Sequence, residues 1–74
     1  MNNINALKEI ISIFLKVNPD KIDDKTIIDT TAIEGSVLFH RMISRVNRLY
    51  SIEIEDYSEI HTFEDLKNII EKEI

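Results

Sequence analysis

One proline and one glycine are the only strong backbone breaks in this 74-residue chain. So few interruptions suit a set of helices. The first periodic stretch carries Ile4, Leu7, Ile10, Ile11, Phe14 and Leu15, the i, i+3, i+4, i+7 spacing of an amphipathic helix. Asn2 or Asn3 is positioned to cap its start. Its end is expected near Val17, because the residue before Pro19 is biased away from the α conformation. Residues 18 to 35 show no sustained period, and Ile22, Ile27, Ile28 and Ile33 are scattered among polar residues. This predicts a long ordered loop whose isoleucines turn into the core. Loops of that length are uncommon in small domains and are usually functional.

Beyond Gly35 the helical period returns. From Ser36 to Tyr50, Leu38, Phe39, Met42, Ile43, Val46, Leu49 and Tyr50 fall on one broad face, and His40, Arg41, Ser44, Arg45, Asn47 and Arg48 occupy the rest. Val37 lands among the polar residues and is expected to be exposed. Ile52-Glu53-Ile54-Glu55 alternates like a strand but has no second run to pair with. Asp56 to Ile60 is long enough for one or two helical turns. Thr62-Phe63-Glu64-Asp65 reads as a capping-box start for a last helix with Leu66, Ile69, Ile70 and Ile74 on one face. The expected fold is all-α: residues 1–74 form a single domain, a four-helix bundle of unequal helices with a long loop between the first and second. The chain has no cysteine, so helix packing rather than disulfides or thiolate metal sites must stabilise it.

A formal net charge of −5 argues against non-specific nucleic-acid binding, which needs clustered Lys and Arg. No apolar run approaches the roughly 20 residues needed to span a bilayer. Met1-Asn2-Asn3-Ile4-Asn5 lacks the charged and apolar regions of a secretory signal. A cytoplasmic protein without membrane contact is expected. Charge is unevenly distributed: from Ser36 to Ile52 the only charged side chains are Arg41, Arg45 and Arg48. These stand at i, i+4 and i+7 without an intervening acid, forgoing the salt bridges available to a merely solubilising helix. The row reads either as a solvated face or as a docking surface for an acidic partner. A helix-turn-helix DNA reader fits poorly with the acidic balance elsewhere.

Enzyme chemistry finds little support. Ser36 and His40 are spaced i, i+4, but nucleophilic catalysis also needs a group to orient the histidine and an oxyanion hole, and no residues mark either. Asp20, Asp23, Asp24 and Asp29 are loosely clustered without the spacing and central glycine of a calcium loop. His61 has no further ligand at zinc spacing. No catalytic residue and no metal ligand is expected. Ser36 stands out by position, following the only glycine where the long loop meets the second helix. As an N-cap it would satisfy an orphan backbone N–H.

Read through to the end, the chain resembles the phosphopantetheine carrier superfamily of acyl and peptidyl carrier proteins. The resemblance rests on Ser36-Val37, Leu38, Met42, Ile43, Val46, Tyr50 and Ile52-Glu53-Ile54. It continues through Asp56 and Ile60 to Thr62-Phe63-Glu64-Asp65-Leu66. Phe14-Leu15-Lys16-Val17 and Asp20-Lys21-Ile22 extend it over the first helix. Gly35 and Val37 stand where acyl carriers usually have aspartate and leucine. Arg41, Arg45 and Arg48 replace the acidic second helix of fatty-acid carriers and look more like peptidyl carriers.

The resemblance implies a non-enzymatic, monomeric carrier. A phosphopantetheinyl transferase would attach 4′-phosphopantetheine to the Ser36 hydroxyl, and the arm's thiol would hold acyl or aminoacyl groups as thioesters. Acyl- or aminoacyl-transferring enzymes would be its partners, with Val37, Arg41, Arg45 and Arg48 as partner contacts. Two alternatives stay open: a carrier-like interaction module that is never modified, and a stand-alone peptidyl carrier.

Overall fold

A computed structural model describes residues 3–74. It contains three α-helices, α1 (Ile4–Leu15), α2 (Ser36–Tyr50) and α3 (Phe63–Glu73), and one 3-10 turn, Pro19–Lys21. No strand forms among the described residues. The fold is all-α.

α1 stops at Leu15, two residues before the expected end. Lys16 adopts the left-handed conformation at φ 60°, and the Lys16 and Val17 amides both donate to the Ser12 carbonyl. The Val17 bond is the 6→1 bond of a Schellman motif and the Lys16 bond the 5→1 bond of an αL cap, both built here without glycine. α2 ends the same way at Ser51, φ 56°, where the Ser51 and Ile52 amides converge on the Asn47 carbonyl. Asn3 occupies the cap position of α1, but its side chain makes no capping hydrogen bond; Asn2 lies outside the described residues. α3 has the predicted capping box: the Asp65 amide donates to Thr62 Oγ1 at 3.2 Å, and the Thr62 amide donates to Asp65 Oδ2 at 3.0 Å.

Four helices were expected, and the short one is missing. Asp56 Oδ1 accepts from both the amide and the hydroxyl of Ser58, at 3.0 and 2.7 Å. The Ile60 amide then closes a single turn onto the Tyr57 carbonyl at 3.1 Å. An Asx-type bond of this kind offers the backbone an alternative to helix. Ile54 and Ile60 on either side of this turn are both buried, anchoring the segment at its two ends.

The core is one continuous cluster: Leu7 and Ile11 from α1, Phe39, Met42, Ile43 and Val46 from α2, and Phe63, Leu66 and Ile70 from α3. Ile22, Ile28 and Ile33 fill it from the connection between α1 and α2, whereas Ile27 stays exposed. That connection is pinned to the start of α3. Ile27 and Thr62 form an isolated antiparallel bridge, with the Ile28 amide bonded to the His61 carbonyl and the Phe63 amide to the Thr26 carbonyl, both at 2.9 Å. Lys67 pairs with Asp24. Two other residues depart from expectation: Leu38 and Ile74 are exposed rather than inward.

Candidate functional site at the start of α2

The long connection delivers Gly35 at φ 90°, ψ 151° as the residue capping α2, with no side-chain capping bond. Ser36 is therefore the first residue inside the helix, not its cap. It is exposed, and among the described residues no hydrogen bond engages its hydroxyl. No acidic residue stands in the first turn of α2, so no side chain of the helix itself offsets the positive end of its dipole beside Ser36.

Ser36 opens onto an open groove of about 700 Å³, lined by Val37, Phe39, His40, Arg41, Tyr57 and Ser58. Tyr57 packs edge-on against both Phe39 and His40, with ring centroids 5.8 and 5.4 Å away. Phe39, His40 and Tyr57 give the groove an aromatic lining, and the 57–60 turn contributes Tyr57 and Ser58 to it. His40 shares the groove with Ser36, but its ring packs on Tyr57, and no hydrogen bond joins it to Ser36 among the described residues. Val37 is 66% exposed beside the serine.

Arg41, Arg45 and Arg48 are all exposed along α2. Arg41 borders the serine groove; all three line a second groove, with Ile13, Phe14, Leu38 and Ser44. The Arg45 guanidinium lies over the Phe14 ring at 5.6 Å. Among the described residues Asp24 pairs with Lys67 and Asp29 contacts His61, and none of the three arginines meets a carboxylate. Val37 and the arginines thus border two adjacent grooves rather than one continuous stripe.

Three of the loop aspartates, Asp23, Asp24 and Asp29, have structural partners, Asp24 through Lys67. Asp23 Oδ1 accepts from the Lys25 amide at 2.9 Å. Asp29 accepts from the amide and hydroxyl of Thr31, and its other oxygen lies 2.9 Å from His61 Nδ1. The Thr31 hydroxyl, the His61 ring and the Thr31 amide together hold the Asp29 carboxyl down at about 2. No group of three or more metal-ligating side chains occurs among the described residues. No described helix is long and apolar enough to cross a membrane.

Sequence reasoning did not place Tyr57 and Ser58 at the serine groove, nor Ile13 and Phe14 at the arginine groove. Tyr57 had a signal, as an aromatic residue in an acidic turn. Asn47 was assigned to the polar face, yet its Oδ1 accepts from the Ile54 amide at 2.9 Å and fixes the exit from α2. No family model matches the chain, and comparisons with curated proteins and with solved structures give no match either.

Proposed function

We propose that the chain is a carrier protein bearing 4′-phosphopantetheine on Ser36, presenting acyl or aminoacyl thioesters to partner enzymes without catalysing their chemistry. The observation that carries this reading is the state of Ser36: exposed at the first position of α2, unused as a cap, and set at the mouth of an apolar groove. A phosphodiester on that oxygen would sit at the N-terminal end of a 15-residue helix, where free backbone amides and the dipole favour an anion. The chemistry would belong to the arm and the partners, while the domain positions it. Tethering would raise the cargo's effective concentration at each partner. The three helices with the 57–60 turn would be a variant of the carrier bundle in which a turn replaces the short helix. Val37 and Arg41, flanking the serine groove, would meet the incoming enzyme, which acts in the cytoplasm in this reading.

Gly35 favours a second reading, an unmodified interaction module. Its φ of 90° with ψ of 151° lies in a region that is essentially glycine-only, so the aspartate usual before a carrier serine does not fit this backbone. Incubation with coenzyme A and a broad-specificity phosphopantetheinyl transferase separates the two. The carrier gains the mass of one phosphopantetheine, and Ser36→Ala gains none while keeping its helical signal. Failure with several such transferases would favour the unmodified module.

A further inference from the structure

We infer that His61 and Asp29 form a proton-controlled latch on the segment that delivers Ser36, closing more tightly when the histidine ring is charged. The two residues stand 32 apart in sequence, one in the connection between α1 and α2 and one just before α3. Asp29 organises its own turn. Its backbone carbonyl accepts from the Ala32 and Ile33 amides at 3.0 and 2.9 Å, and Oδ1 accepts from the amide and hydroxyl of Thr31 at 2.9 and 2.6 Å. Oδ2 lies 2.9 Å from His61 Nδ1. One carboxylate thus joins the 29–33 turn to the start of α3, and Gly35 and Ser36 follow directly after Glu34. The other ties between these segments lie earlier in the connection. The Ile28 amide bonds to the His61 carbonyl, the Phe63 amide to Thr26, the Glu64 amide to Asp24, and Lys67 pairs with Asp24. Among the described residues, the Asp29–His61 contact is the tie nearest Ser36.

Histidine is the side chain whose charge ordinarily changes between about pH 5 and 8. A neutral His61 ring can donate to Asp29 only with its proton on Nδ1; the other tautomer sets a lone pair against the carboxylate. A charged ring always donates from Nδ1 and adds ionic attraction. The charged groups set against the ring are Asp29 from the connection and Asp65 from the first turn of α3, whose Oδ2 accepts from the His61 amide at 3.0 Å. Thr31 and His61 hold the Asp29 carboxyl at about 2, so it stays ionised while the histidine titrates. The latch is therefore strongest below the ring's titration and weakens as pH rises through it. The ring is 61% exposed and the Asp29 side chain 18%, so water screens the pair and limits the change to about fivefold. Ile28 and Ile33 on either side of the turn are buried. Opening therefore loosens the turn between them, and reaches Gly35 through the Ile33 amide, without unfolding the domain.

The latch needs no arm on Ser36, so the full chain with a free serine tests it and leaves the carrier reading separately testable. His40 shares the groove with Ser36, so the measurement uses a His40→Gln background, in which His61 is the only histidine. NMR follows the His61 ring and the amides of residues 29–36 from about pH 8 to about pH 5. Exchange of the Ala32 and Ile33 amides with water, corrected for the intrinsic rate, should slow by about two- to fivefold. Its midpoint should coincide with that of the ring, and the Gly35 and Ser36 amide signals should move with it. Adding His61→Gln, which keeps a donor but cannot titrate, should abolish both responses. Adding Asp29→Asn should abolish them too, because asparagine can still accept from Thr31 but carries no charge. The inference is overturned by exchange that does not change with pH, by a midpoint different from that of the ring, by responses that survive either added substitution, or by shifts confined to residues 60–65.

Discussion

Gly35 joins the long connection to α2, and its substitution isolates a backbone effect. At φ 90° and ψ 151° it occupies a region that costs a residue with a Cβ about 1–3 kcal/mol. Packing adds nothing to this local backbone cost, because beyond the neighbouring residues a Cβ built there meets no atom within 4 Å. Replacing glycine also restricts the unfolded chain, which returns about 0.4–1 kcal/mol. Gly35→Ala should therefore destabilise by up to about 2.6 kcal/mol, and by about 1.3 kcal/mol at the middle of both ranges, read as a lower urea midpoint at unchanged slope. Gly35→Asp refines the test. If the backbone could relax to an extended cap conformation, an aspartate there would stabilise by about 0.5–2 kcal/mol relative to alanine. A junction held in the glycine-only geometry denies that gain, so both variants should lose stability alike. An aspartate variant as stable as the wild type would refute the reasoning and remove the structural objection to a standard carrier junction.

Ile43 is fully buried on α2, so Ile43→Ala should cost about 2–5 kcal/mol, whereas exposed Ser44→Ala should change stability by under about 0.5 kcal/mol; chemical denaturation of both checks the helix face. Lys16→Gly and Ser51→Gly should each stabilise by a few tenths to about 1 kcal/mol, because both residues hold positive φ at helix ends; lower thermal midpoints would contradict the capping geometry. Asp29 has its carboxyl lowered from 3.8 to about 2. Its contribution is therefore complete above about pH 4 and lost as pH falls through about 2. Asp29→Asn should flatten the stability profile over that range, and an unchanged acid limb would show that the Thr31 and His61 contacts do not matter in solution.

The helices were legible where the apolar period was strong and an end signal was local. The register of α2 put Phe39, Met42, Ile43 and Val46 inward, and they are buried. Thr62 and Asp65 announced α3 through a cap satisfied within four residues. What was not legible depended on partners distant in sequence. Leu38 shares the apolar arc of α2, but α1 does not reach over it, and it borders a groove instead. Asp56 to Ile60 had enough length for helix, yet an aspartate–serine turn and two buried isoleucines decided otherwise. The left-handed ends at Lys16 and Ser51 carry no glycine to signal them. At the candidate site, position after the only glycine pointed to Ser36 as a helix cap, and only the family resemblance made it an attachment site; its place inside the helix follows from Gly35 taking the cap. Tyr57 reaches the same groove only through the tertiary path of residues 52–61.

The central claim is that Ser36 carries a phosphopantetheine arm in the working protein, and intact mass of the chain purified from its native host tests it most directly. The account predicts a population heavier by one phosphopantetheine, with the added mass mapping to the peptide that contains Ser36. A chain that is uniformly unmodified, or modified at any other residue, would contradict it.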